Sequence, residues 1–231
     1  GALADALAAV GAELVNMPVA SKNPFVMAAN IRRLRQLVEG ENINILQARS
    51  RAPAWSTLAA ARTAQVPMVT TYHGLVHARP RPEVWYNSVM ARGDAVIANS
   101  EYTGELIRQV HGVNDARLRV VARGCDVSAL APDNVSAVMR ADQRRAWGAS
   151  VDDFVILCPA RITELKGQDV LLAALAQRPA DARPFVVFAG SSEGRAEYFA
   201  ALERQVAEAG LTKRVYFAGL VSDMGRAYGA C

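Results

Sequence analysis

With 231 residues, 52% of them hydrophobic and 21% charged, the chain can bury a sizeable core, and its length suits two domains of common size. The net charge of +4 selects no partner by itself; the charges are scattered and no basic run is interleaved with aromatics, which argues against a nucleic-acid binder. No apolar run approaches the roughly 20 residues of a membrane span, and three widely spaced cysteines without a C-x-x-C pair indicate neither a disulfide framework nor a zinc site and fit a reducing cytosol.

Residues 1–10 place Leu3, Leu7 and Val10 at helical spacing. They lack the basic start and long apolar run of a secretory signal, and there is no initiator Met, so the chain reads as a fragment beginning inside a helix. Gly11 ends that helix and 13–17 reads as a short strand. Asn23 and Pro24 start the next helix, whose apolar stripe of Ile31, Leu34, Leu37 and Val38 runs beside Arg32, Arg33 and Arg35. That arginine cluster is either a solvated face or part of a helix lying on anionic lipid.

A strand is expected over 43–46, then a helix through Trp55 and Leu58 to Ala64. Residues 68–71 read as a buried strand with His73 and Gly74 at its carboxyl end. Ligands of open α/β sheets bind there, and Gly lets one approach the backbone closely. His77 and His111 have no such setting and read as surface residues. A helix through Val84 to Met90, a strand over 94–98 and a helix over 102–110 capped by Ser100 follow, and another strand begins at Leu118. Residues 132–150, with a helix ending at Trp147 and Gly148, read as an exposed, polar connection.

Beyond it, strands at 154–157, 184–190 and 214–219 alternate with helices at 168–177 and 196–209. Such alternation predicts a parallel, doubly wound sheet. Two of its strands end in glycine loops, 190–194 and 219–223, which turn formation explains nearly as well as a ligand does. Between its first strand and helix lie Arg161 and Lys166, followed by Gly167. A guanidinium at the strand exit and an ammonium at the helix entry add full charges to the free N–H groups of the helix, which favours a phosphate or pyrophosphate.

Residues 160–174, A-R-I-T-E-L-K-G-Q-D-V-L-L-A-A, resemble the G-R-x4-K-G-x-D-x-L-x-x-A signature of retaining GT-B glycosyltransferases, family 4, with Ala160 in place of the usual Gly. Residues 48–56, A-R-S-R-A-P-A-W-S, resemble a segment of bacterial members that build envelope polysaccharides, with Gln47 where His is common. Thr71-Tyr72-His73-Gly74 is similar to the family's T-x-H-G, 96–101 to its V-I-A-x-S-E, and 118–126 to its I-P-N/R-G-V-D element. Cys125, where most members have Val, reads as a packing residue.

The resemblance implies a GT-B fold of two Rossmann-like doubly wound domains, both truncated. These are an acceptor-side domain over 1–131 lacking its first strand, a connection over 132–150 and a nucleotide-sugar-binding domain over 151–231. It implies transfer, with retention, of a hexosyl group from a nucleotide-diphosphate sugar to a hydroxyl of an envelope saccharide or lipid-linked precursor. Arg161, Lys166 and Gly167 would hold the donor diphosphate and replace a divalent cation, so neither metal nor other cofactor is expected. By the same resemblance Gly190, Gly219 and the backbone of Val221 border the nucleotide, and His73 orients the transferred sugar. The family's E-x7-E motif is not present by Cys231, so the chain is expected to be an inactive piece of a cytoplasmic enzyme, either free or peripheral on the inner face of the membrane. Two other readings remain open: a non-catalytic nucleotide-sugar-binding module and a GT-B sugar epimerase.

Overall fold

The computed structural model describes residues 2–74 and 81–231, in two compact units, Gly1–Gly124 and Cys125–Cys231. His77 lies outside the described residues.

In the first unit, β1 (Leu46–Ala48), β2 (Met68–Tyr72), β3 (Ala95–Ala98) and β4 (Leu118–Val120) pair in parallel in that order. Helices α1 (Ala2–Ala9) and α2 (Pro24–Gly40) precede the sheet; α3 (Arg51–Ala64), α4 (Arg81–Asn87) with a following 3-10 turn, and α5 (Glu101–His111) connect its strands. Parallel pairing needs such crossovers, because a tight turn cannot return the chain to the same end. One core gathers Val38, Ala54, Leu58, Met68, Val96, Ile107 and Leu118.

Local chemistry sets the helix starts. Asn23 Oδ1 accepts from Phe25 N ahead of Pro24, and Ser100 Oγ accepts from Thr103 N, each satisfying a donor that the first turn leaves free. In α2 the stripe of Ile31, Leu34 and Val38 packs into the core while Arg32, Arg33 and Arg35 stay exposed, Arg35 pairing with Glu39 at 3.2 Å. The cluster is therefore a solvated face, and the apolar stripe beside it is already covered.

In the second unit α6 (Ala137–Trp147) precedes a parallel sheet of β5 (Val155–Pro159), β6 (Phe185–Ala189) and β7 (Val215–Gly219), in that order, with α7 (Gln168–Ala176) and α8 (Ala196–Glu208) between them and α9 (Met224–Gly229) after them. Strand side chains alternate between faces. In β6, Val186 and Phe188 enter a core with Leu172, Leu175, Leu202 and Val206 of α7 and α8, whereas Phe185 and Val187 enter another with Trp147 of α6 and Ala227 of α9. Burial on both faces explains why the strand reads as an unbroken apolar run, and it makes the sheet doubly wound.

Several sequence expectations are corrected. Residues 13–17 form no strand, and the first strand begins at Leu46 rather than Ile43, since Ile45 is left exposed. The segment 132–150 is not a wholly exposed connection: it belongs to the second unit, where Val135, Trp147 and Ala149 are buried and Val135 lies against Gly229 so closely that a Cβ there would meet it at 2.7 Å. Apolar residues spaced through a polar stretch conceal such a role. Cys125 is exposed, not packed, and all three cysteines are free. Helix α9 is short and Gly-rich, and was not expected.

Asp153 fastens the entry to this sheet, accepting from Ser150 N at 2.6 Å and from Arg214 at the start of β7. The Ser150 N–H foremost, then Arg214, holds its carboxyl below the ordinary value, against a contribution from burial that raises it. A depressed carboxyl contributes stability above its unfolded value, near pH 4, and loses it as pH falls further. Asp153→Asn should therefore destabilise the second unit by about 1 kcal/mol at pH 7, with the gap to wild type closing below about pH 4, measured by thermal melts across pH.

Candidate functional site

At the carboxyl end of β5 the connection to α7 is fixed from inside. Ile162 is 1% exposed and its N–H donates to the Ser191 carbonyl at 2.9 Å. Gln168, wholly buried, donates from Nε2 to the Arg161 carbonyl at 3.0 Å. A single 3-10 turn, Glu164–Lys166, leads to Gly167 at φ +67°, a conformation that residues with a Cβ rarely adopt. No side chain caps the first turn of α7, so its leading N–H groups stay available. The side chains of Arg161 and Lys166 are exposed, and among the described residues neither has a carboxylate within ion-pair distance.

The neighbouring strand ends complete this edge. A Cβ on Gly190 would fall 2.5 Å from the Ala160 carbonyl carbon and 3.0 Å from Arg161 N, so only glycine lets the β6 loop pass the β5 loop. Gly219, at φ +64°, ends β7 where its register with β6 shifts. Ile162, Gly190, Ser191, Phe217, Gly219 and Leu220 line a cavity of about 330 Å³. The side chain of Val221 packs on the core containing Trp147 and Val187, leaving its backbone as the part a ligand could use. A larger cavity of about 630 Å³, bordered by Asp153, Phe154, Pro184 and Arg214, lies where these strands begin. It holds none of the expected site residues, and ligands of such sheets bind at the opposite edge.

In the first unit the strand exits of β1 and β2 meet. His73, half-buried, has Arg49 Nε at 3.0 Å from its Nε2 and Arg123 Nη2 at 2.8 Å from its Nδ1. Desolvation first, then Arg49 and Arg123, lowers the pKa of the ring, which is neutral near pH 7. Gln47, where His is common in the resemblance, donates to Thr71 Oγ1 at 2.9 Å. Trp55 packs at a tilt against Trp85, with ring centroids 5.2 Å apart, so it serves packing. His111, expected at the surface, is half-buried beside Tyr72, with ring centroids 6.2 Å apart. Sequence reasoning missed Arg49, Arg123 and Gln168 as partners of the expected residues; the A-R-S-R segment and the Arg in R-G-C-D were visible, but neither implies contact with His73.

Residues 3–129 match the model of Glycosyltransferase Family 4, and residues 139–231 that of Glycosyl transferases group 1. The chain belongs to glycosyltransferase family 4. It is 30% identical over 169 residues to a D-inositol 3-phosphate glycosyltransferase of Xylanimonas cellulosilytica, the match covering 68% of this chain and 40% of that protein. A crystal structure of a glycosyltransferase from Rickettsia africae is similar over 100% of this chain and 60% of its own, with a TM-score of 0.86 and 26% identity. HepE of Anabaena, solved in complex with UDP-glucose, is similar over 100% of this chain and 62% of its own, with a TM-score of 0.83 and 21% identity. The chain thus spans about two fifths of the curated relative's length and about three fifths of these solved chains. Their likeness, with the parallel sheets, establishes the GT-B fold of two Rossmann-like domains.

Two outcomes are expected from this geometry. Nuclear magnetic resonance titration of the His73 ring should find it protonating below the ordinary histidine value, and Arg49→Ala or Arg123→Ala should shift it upward by removing a nearby positive charge. Gly190→Ala should displace the Ala160 carbonyl and cost about 1 to 3 kcal/mol of stability in the second unit, measured by chemical denaturation.

Proposed function

We propose that the chain comes from a retaining hexosyltransferase that moves a sugar from a nucleotide-diphosphate donor to a hydroxyl acceptor of a cell-envelope polysaccharide or lipid-linked precursor. The observation that carries the donor half is the glycine-walled cavity at the carboxyl ends of β5, β6 and β7, with two cations, unpaired among the described residues, on the connection that supplies its wall. The Anabaena relative's complex with UDP-glucose supports a UDP-sugar as the donor class. Family membership supports the transfer itself.

The chemical demand is to stabilise charge on the leaving diphosphate as the glycosidic bond breaks. Arg161 offers a planar fork for two phosphate oxygens, and Lys166 a mobile point charge. The N–H groups at the start of α7 add fixed dipoles to the same anion. Gly167 brings that helix start up after the turn, while Gly190, Gly219 and the Val221 backbone border the nucleotide. Asp169, in the first turn, is engaged by the Tyr198 hydroxyl at 3.0 Å. With these two cations on the diphosphate no divalent metal is needed. His73, held neutral, is suited to orienting sugar hydroxyls rather than to attacking carbon.

We place the enzyme in the cytoplasm, which the free cysteines support, and at the inner face of the membrane, where a lipid-linked acceptor would be met. No helix among the described residues is long and apolar enough to cross a membrane. Any membrane contact would use a surface other than the α2 stripe, which the core occupies.

Calorimetry with UDP tests the donor site. Arg161→Ala together with Lys166→Ala should abolish binding, and EDTA should leave wild-type binding unchanged; undiminished affinity in the double variant would remove the anion site assigned here.

A further inference from the structure

The environment of His73 contains a conflict that sugar hydroxyls alone do not resolve. A guanidinium has only donors, so Arg49 at Nε2 and Arg123 at Nδ1 each require a lone pair on the ring. Neutral imidazole has one such lone pair and imidazolium has none. In every protonation state at least one guanidinium therefore faces an N–H. Among the described residues neither Arg49 nor Arg123 has a carboxylate partner to draw it elsewhere. Both guanidiniums are exposed and water reaches them, yet two like charges converging on one ring also make this place attractive to an anion.

Further donors surround the same place. A cavity of about 290 Å³ is lined by Arg49, Ser50, Arg51, Tyr72, His73 and His111, among others. Tyr72 is 8% exposed and its hydroxyl has no partner among the described residues; burial raises its pKa, so it remains a protonated donor. His111 Nε2 is also buried and has no partner among the described residues, and it donates or accepts according to its tautomer. Ser50 precedes α3 but makes no capping bond, which leaves the first N–H groups of that helix without a side-chain acceptor. The nearby carbonyl of Asn87 is already taken by Arg51 at 3.2 Å. Among the described residues the lining holds cations but no carboxylate, although Glu83 stands 3.6 Å from Arg51, and the volume, at the small end of ligand pockets, admits a phosphate with one sugar ring.

We infer that Arg49, His73 and Arg123 form a subsite of the first unit that holds a phosphate group carried by the acceptor. A phosphate offers an oxygen to each guanidinium and another to the His73 N–H, which removes the conflict, and its charge of about −1.5 to −2 answers both cations where a carboxylate answers one. This rests on reading the first unit as the acceptor side. The shared chemistry is a sugar-bound phosphate, whether of a soluble sugar phosphate or of a lipid-linked precursor.

The test follows the His73 ring resonances while the chain is titrated with inorganic phosphate, glucose 6-phosphate or glucose, or with neutral lipid vesicles containing or lacking a polyprenyl phosphate. Glucose 6-phosphate should bind at least about tenfold tighter than glucose and raise the His73 pKa. Arg49→Gln and Arg123→Gln should each weaken phosphate binding about tenfold or more while UDP binding stays unchanged. A response to soluble phosphates assigns a soluble acceptor, and a response to polyprenyl phosphate vesicles alone a lipid-linked one; both support the subsite. Equal affinity for glucose and glucose 6-phosphate together with silence toward the vesicles overturns it, as does unaltered phosphate binding in both variants. Repeating the titration with Arg161→Ala and Lys166→Ala in place separates the two sites: a surviving His73 response with no UDP binding upholds this subsite whatever becomes of the donor assignment.

Discussion

The second unit depends on one backbone contact made where a side chain is missing. Gly190 lets the end of β6 lie against the Ala160 carbonyl and Arg161 N, and the Ile162 N–H to Ser191 carbonyl bond closes the same junction. From that junction the position of Arg161 follows, because Gln168 holds its carbonyl from the opposite side. The charged side chains stand in solvent, yet the peptide units that carry them are hydrogen-bonded, the Arg161 carbonyl by Gln168 and the Lys166 N–H by the Thr163 carbonyl. A loop preorganised in this way meets an anion without first having to order itself, which is how fixed dipoles and charges stabilise a developing negative charge most effectively.

The first unit handles charge differently. Its edge collects guanidinium, imidazole and phenol groups with few acceptors among them, so its electrostatics are unsatisfied in isolation. Where the second unit relies on backbone geometry to present two cations, the first relies on crowding. Both arrangements favour an anionic partner, and each is complete within its own unit.

Much of this was legible in the sequence for a plain reason. Buried parallel strands such as β2 and β6 read as short apolar runs, and the helices between them read at helical period, so element type and order follow from burial alone. The glycines at 167, 190 and 219 were visible as punctuation, although only coordinates separate the close approach at Gly190 from the left-handed backbone at Gly167 and Gly219. Elements failed to be legible where their burial was thin. Residues 13–17 have a strand-like composition but no partner strand, and the 132–150 segment buries only isolated side chains such as Val135 and Trp147 within polar surroundings. The partners of His73 were hidden for another reason: Arg49 and Arg123 lie 24 and 50 residues from it, and a lone chain gives no measure of which distant cations converge.

Strand β6 is wedged between two separate apolar clusters and is bonded to a strand on each side. Exposing its amides to solvent requires both clusters to come apart, whereas other segments can open by releasing only one. In deuterium exchange its backbone would therefore be the slowest of the unit to label, reporting global unfolding rather than local breathing. The Gly190 junction sits immediately at its end, so the loop that carries Arg161 is anchored to the last part of the domain to yield.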